Sequence, residues 1–347
     1  MECLERPNET IRKRILENFD RIAKPIDGLG RFESWIAQIG AIQKTEQVDL
    51  SKKAVVIFCA DNGIVEEGIS QSGQEVTLAV MKNMARQCSS VGKMAAYVHA
   101  ETLPVDIGVN TKEKVPGVCN RKIAYGTKNF LKEPAMTKTE MLQAIKVGIK
   151  LARTYKEKGY SILAMGEMGI GNTTTSSAIA AALLECDVKD VTGRGAGLTT
   201  KKLLHKQQVI QQALEKYELR RKEPLEVLQT VGGLDIAGMV GLCIGGAYYH
   251  LPIVLDGVIS MVAALVAVRV APGVVEYLIP SHQGKEPAME QLARALSVAP
   301  AIDGKLALGE GTGAVMMLAL LECALRVYES GSTFSEIQME QYERFQK

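Results

Sequence analysis

Ser161-Ile162-Leu163-Ala164-Met165-Gly166-Glu167-Met168-Gly169-Ile170-Gly171-Asn172-Thr173-Thr174-Thr175 passes from an apolar run through a glycine-rich turn toward an alanine-rich stretch. Unbroken apolarity over so few residues predicts a strand covered on both faces, as in a parallel sheet. The same grammar recurs. Ala54-Val55-Val56-Ile57-Phe58-Cys59-Ala60 stops at Asp61-Asn62-Gly63, and Leu251-Pro252-Ile253-Val254-Leu255 stops at Asp256-Gly257 before another helical segment. Strands alternating with helices predict βαβ units and an α/β fold with a doubly wound, mostly parallel sheet. Ligands of such sheets bind beyond the carboxyl ends of the strands, which places Asp61, Glu167 and Asp256 on one rim.

Outward from this core, Ile11, Ile15, Phe19 and Ile22 fall at helical spacing, Pro25, Gly28 and Gly30 interrupt, and Phe32, Trp35, Ile36, Ile39 and Ile42 resume the pattern. A helical hairpin is expected there. A polar last helix, about 333–345, is expected to return to it as a small helical domain. The division expected is 1–48 for the N-terminal part of that small domain, 49–325 for the α/β domain and 326–347 for the C-terminal helix. The apolar runs 236–249 and 258–268 are too short to span a bilayer and are read as buried core.

At 347 residues, with 47% hydrophobic and 23% charged, the chain can bury a substantial core, so disorder is excluded. Forty-one basic residues are interspersed with 39 acidic ones, and that balance gives no footprint for nucleic acid. No membrane partner is signalled. The seven cysteines never approach CxxC spacing and no HExxH occurs, so no metal site is expected and the thiols are read as reduced and mostly buried. The charged N-terminus has no apolar secretory core, and a cytoplasmic location is expected.

The turn at 165–175 suits an anion. Glycines let the backbone approach closely, and N–H groups and threonine hydroxyls at a helix start can bind phosphate. Gly169, Gly171, Asn172 and Thr173 are the candidates, although the same turn also serves as a strand-to-helix cap. It is neither a Walker A loop nor GxGxxG, which weakens nucleotide hydrolysis and dinucleotide binding. A second cluster, Thr192-Gly193-Arg194-Gly195-Ala196-Gly197-Leu198, precedes a helix bearing Lys201, Lys202, His205 and Lys206, one of which can reach the phosphate. Leu308-Gly309-Glu310-Gly311-Thr312-Gly313 sets one carboxylate among three glycines. Glu310 is either a poorly solvated general base or an acid at a helix start. Asp106, Asp235 and Asp256 either contact ligand or cap helices. His282 is the best placed of four histidines, yet sequence order assembles no Ser-His-Asp set around it.

Asp61-Asn62-Gly63-Ile64-Val65-Glu66-Glu67-Gly68-Ile69-Ser70, Gln74-Glu75-Val76-Thr77, GEMGIGNTT, TGRGAGL, VGGLDIAG and LGEGTGA occur in this order in one chain. Together they resemble the nicotinate-nucleotide:dimethylbenzimidazole phosphoribosyltransferases, the CobT family, from Gly28-Leu29-Gly30-Arg31 to the helix after Glu310. The resemblance implies a Rossmann-like parallel sheet, a small helical domain built from both termini and a homodimer. It implies transfer of phosphoribose from nicotinate mononucleotide to 5,6-dimethylbenzimidazole or a related base, giving α-ribazole 5′-phosphate and nicotinate in assembly of the cobalamin nucleotide loop. No metal or redox cofactor enters. Glu310 is then the general base and Glu167 a second catalytic position. Gly169, Gly171, Asn172, Thr173, Gly195 and Lys206 hold phosphate and ribose, and Ser70, Asp235 and Asp256 contact substrate. Ser281-His282-Gln283-Gly284-Lys285-Glu286-Pro287 departs from the family pattern, with Gly284 and Lys285 where small polar residues are expected.

Overall fold

The computed structural model describes residues 4–344. Six strands form one sheet: β1 (Lys53–Ala60), β2 (Glu101–Gly108), β3 (Cys119–Asn120), β4 (Ile162–Met168), β5 (Ile253–Leu255) and β6 (Leu278–Pro280). Their order is β3-β2-β1-β4-β5-β6 and every pairing is parallel. This is the Rossmann order, whose direction of winding reverses between β1 and β4, where ligand crevices open. Strand β2 carries Pro104, which masks its signal in sequence, and β3 and β6 are too short to show one.

All eight residues of β1 are buried, as a doubly covered strand requires. Ala54, Val56, Phe58 and Ala60 face one core with the helices Lys138–Glu157, Asn172–Leu183, Leu234–Tyr248 and Val258–Val270. Val55, Ile57 and Cys59 face the other, with the helices Arg31–Gln43, Glu75–Ala85, Ser90–Tyr97 and Thr312–Ser330. The apolar runs 236–249 and 258–268 are thus core helices of the first layer. Among the described residues no helix is long and apolar enough to cross a membrane. Of the six described cysteines only Cys59 and Cys243 are buried, whereas Cys88 and Cys323 are exposed, so the expectation of mostly buried thiols does not hold.

Helices Glu9–Arg21 and Arg31–Gln43 form the expected hairpin. The chain after Gly331 returns to it: the Ala23 N–H donates to Ser332 O, the Phe334 N–H to Arg21 O, and Arg344 binds both Asp20 and Asp27. The helix expected over 333–345 is absent, however, as far as residue 344; residues 345–347 lie outside the described part. Thr333 and Glu336 cap a single turn reciprocally, and Gln338 ends it in the left-handed region at φ 56°. Phe334 is buried while Ile337, Met339 and Tyr342 are exposed, so the segment has no apolar stripe to sustain a helix. The helix Thr312–Ser330 also runs across the boundary expected at 326.

Candidate active site

The ends of β4 and β5, together with the irregular segment 304–311, enclose a cavity of about 320 Å³. Parallel pairing sets Phe58 of β1 beside Glu167, so that Glu167 projects at the crevice where the winding reverses. The helix Asn172–Leu183 begins at Gly171, whose φ of 97° closes the turn. Its first residues, Asn172 and Thr173, line the cavity with Gly169, and Gly195, where a Cβ would lie 2.9 Å from Thr173 Oγ1, continues the lining with Ala196. Gly171 itself caps the helix and stays out of the lining.

Lys206 is buried on the helix Thr200–Lys216 and does not itself line the cavity; it stands behind Thr173, which does. Its Nζ donates to Thr173 Oγ1 at 2.9 Å and to Gly193 O at 3.2 Å. Burial pulls its pKa down to about 8, with Glu286 opposing the fall. An ammonium, a threonine hydroxyl and a helix N-terminus thus converge beside Gly195, which is the composition of a phosphate seat. The neighbouring cations do other work. Lys202 Nζ donates to Ser70 O at 3.2 Å, and His205 Nε2 lies 2.7 Å from Glu67 O, so both tie the 67–74 loop to this helix. Ser70 belongs to that tie and does not line the cavity, which Val80 of the next helix does.

Glu310 lines the same cavity. Gly309, Glu310 and Gly311 all take left-handed φ values, 80°, 62° and 95°. For a glutamate this is strained backbone, and its surroundings hold it there. One restraint is Asp256 after β5: its carboxylate accepts the N–H groups of Gly311 at 3.0 Å, Gly313 at 2.8 Å and Ala314 at 3.2 Å. Asp256 lines the cavity, but its oxygens are committed to this backbone. Another restraint is Gly166, where a Cβ would lie 2.3 Å from Glu310 O. Gly166→Ala is therefore expected to displace Glu310 and lower kcat on the order of 10²-fold, the effect of a misplacement near 1 Å. Steady-state turnover beside a thermal melt checks this, with the fold retained.

Glu310 Oε2 accepts the Val91 N–H at 3.4 Å, at the start of the helix Ser90–Tyr97. Burial raises its carboxyl pKa, the Val91 N–H opposes the rise and Asp256 adds to it. Glu167 is more deeply placed. Asn172 Nδ2 donates to its Oε2, and burial, then Asp235 and Asp256, push its pKa up to about 8.

Asp235 is absent from the cavity wall. It has no exposed surface and lies behind Gly169, where a Cβ would stand 2.8 Å from its Oδ2. Asp61 is likewise buried beneath the rim, its Oδ2 accepting the Asn110 N–H at 2.7 Å, and Asp106 pairs with Lys122 at 2.9 Å. His282 does line the cavity, and the fold brings Ser281 and Asp256 to it. Both lie on the same ring nitrogen, with Ser281 Oγ 3.0 Å and Asp256 Oδ1 3.9 Å from Nδ1, so no relay through the imidazole exists. Burial lowers the His282 pKa and keeps the ring neutral. Residues without a signal in sequence also line the wall, among them Val258, Ser260 and Leu306. Gly284, Lys285 and Glu286, from the segment that departs from the family pattern, line it too. Among the described residues no group of three or more His, Cys, Asp or Glu side chains is placed to hold a metal.

Comparison with known proteins gives a consistent result. A family model described as "Phosphoribosyltransferase" matches residues 4–339. The nicotinate-nucleotide–dimethylbenzimidazole phosphoribosyltransferase of Ruminiclostridium cellulolyticum is 40% identical over 96% of this chain and 95% of its own length. That of Geobacter sp. strain M21 is 41% identical, over 95% of each chain. The crystal structure of CobT from Thermus thermophilus superposes with a TM-score of 0.90 at 35% identity, covering 96% of this chain and all of the other. Full-length identity of this order, with a TM-score of 0.90 to a solved relative, makes this chain a member of the nicotinate-nucleotide–dimethylbenzimidazole phosphoribosyltransferase family.

Proposed function

We propose that this enzyme moves the 5-phosphoribosyl group of nicotinate mononucleotide to 5,6-dimethylbenzimidazole or a related lower-ligand base, with Glu310 as general base. The observation that carries the reading is a half-buried carboxylate, held on strained backbone, that lines one cavity with Thr173 and the start of its helix. Lys206, Thr173 and the helix N-terminus take the 5′-phosphate. An azole nitrogen attacks C1′ as the bond from C1′ to the pyridinium nitrogen breaks, and the bonding pair leaves with nicotinate. That departure neutralises the pyridinium, so no acid is required. The azole N–H proton passes to Glu310, whose raised pKa suits a base. Glu167, when ionised, stabilises the positive charge that develops at the ribose. Attack on the opposite face converts a β-riboside into an α-riboside.

The reading includes a homodimer in the cytoplasm. An exposed apolar patch of Tyr97, Met316 and Leu320 supports self-association. Incubation with nicotinate mononucleotide and 5,6-dimethylbenzimidazole, followed by mass spectrometry, is expected to give α-ribazole 5′-phosphate and one equivalent of nicotinate. A folded protein that forms no riboside with benzimidazole, purine or phenolic acceptors would remove the proposal.

A further inference from the structure

We infer that Asp235 is a positioning residue for Glu167, acting through the amide of Asn172; the inference deepens the transfer reaction proposed above and rests on it. The amide nitrogen Asn172 Nδ2 donates to Glu167 Oε2 and lies 3.3 Å from Asp235 Oδ2. The two acids it joins differ in access. Glu167 lines the cavity, whereas Asp235 has no exposed surface and is screened from the cavity by the backbone of Gly169. Asp235 therefore touches no substrate. Its other oxygen accepts the Ile236 N–H at 3.0 Å, which anchors it at the start of the helix Leu234–Tyr248.

The surroundings of this pair are acidic on every side. Asp256, beyond β5, and Glu310, on the 304–311 segment, face Glu167. The Cys59 thiol of β1 feels Glu167 and Asp235, and Asp61, after β1, faces Asp235. His282, beside Asp256, is held neutral by burial. Two buried carboxylates that share one amide do not both ionise readily, since each disfavours the charge of the other. The directions agree: burial lifts Asp235 up to about 7 and Glu167 up to about 8. Near neutral pH the empty site thus holds a proton on the pair. The cation that arrives with the pyridinium substrate favours the ionised form of Glu167, whose proton is released to solvent as that substrate binds and before the bond to nicotinate breaks. Asp235 stays in place as the charge that sets when this happens.

Two variants move the system in opposite directions. Asp235→Asn removes the neighbouring charge at nearly constant volume, so the acid limb of the kcat/KM profile is expected to shift by about one pH unit toward acid. Asn172→Ala removes the donor shared by both acids, and the limb is expected to shift toward alkaline pH. The 13C titration of the Glu167 carboxyl carbon, assigned by its loss in Glu167→Gln, is expected to show the same two shifts in protein without substrate. Uniform loss of kcat at all pH values, with the limb and the carbon titration unmoved in both variants, would reduce Asp235 to a packing residue. If Asp235→Asn fails to fold, Asp235→Ser, which removes the same charge with a smaller side chain, is expected to give the same shift toward acid, and an unmoved carbon titration in it overturns the inference. Because the carbon titration needs no turnover, it separates failure of this inference from failure of the proposed reaction.

Discussion

Glu310→Gln is expected to lower kcat by about 10² to 10⁴-fold, the usual contribution of a positioned general base. KM for nicotinate mononucleotide is expected to change little, since Thr173 and Lys206, the proposed partners of its phosphate, are unaltered. The amide keeps the size of the side chain. It loses the basic oxygen that receives the azole proton, and with it the descent of activity below the pKa of Glu310. That descent has a definite sign. Burial raises the carboxyl pKa, so the active carboxylate is lost as pH falls through a value above the ordinary range for glutamate. Steady-state rates at saturating base, measured over pH, check both the size of the loss and the disappearance of this limb. Full turnover by the variant would show that another group accepts the proton.

Lys206→Met is expected to act on binding. Truncating one partner of a buried charge pair costs about 3 kcal/mol, so KM for nicotinate mononucleotide is expected to rise on the order of 10²-fold while kcat at saturation changes less. The methionine retains the unbranched stem and its packing. In the wild type the ammonium loses its proton as pH rises through about 8, so kcat/KM is expected to fall above that pH. Bound phosphate holds the proton in place, and kcat is expected to show the fall weakly. The fold itself gains nothing from the charge. A lysine whose pKa is lowered by burial costs stability wherever it is protonated in the folded protein, below about pH 8, and this cost fades as pH rises toward its unfolded value. At pH 7 the methionine variant is therefore expected to melt no lower than the wild type. Kinetics over pH and one thermal melt separate the two effects.

The residues differ in how much of their role is legible without coordinates. Glu167, Asn172 and Thr173 are predicted by a strand, a glycine turn and a helix within fifteen consecutive residues. Glu310 is singled out by sequence as one carboxylate set among three glycines, and the φ values at 309–311 show only afterwards that this backbone is left-handed. Ser70 belongs to the same ordered set of motifs, yet its loop turns to meet Lys202, a partner 132 residues away, and leaves the cavity to Val80. The C-terminal segment has the polarity of a surface helix. Only its packing on Arg21 and Ile22 reveals a single turn followed by irregular chain.

Patterns shorter than about twenty residues carried the α/β class, the rim of the sheet, the glycine-rich turn after β4 and the isolated Glu310, because periodicity, glycine freedom and helix starts are local properties of the backbone. The ordered motifs added the family. Tertiary structure alone divided the acids of that rim into those that line the cavity and those that do not. Asp256 is committed to N–H groups more than fifty residues away, and Asp235 is sealed behind Gly169 and joined to Glu167 by Asn172. Desolvation and hydrogen-bond partners decide what a carboxylate can do, and both are supplied by distant segments that only the folded chain brings together.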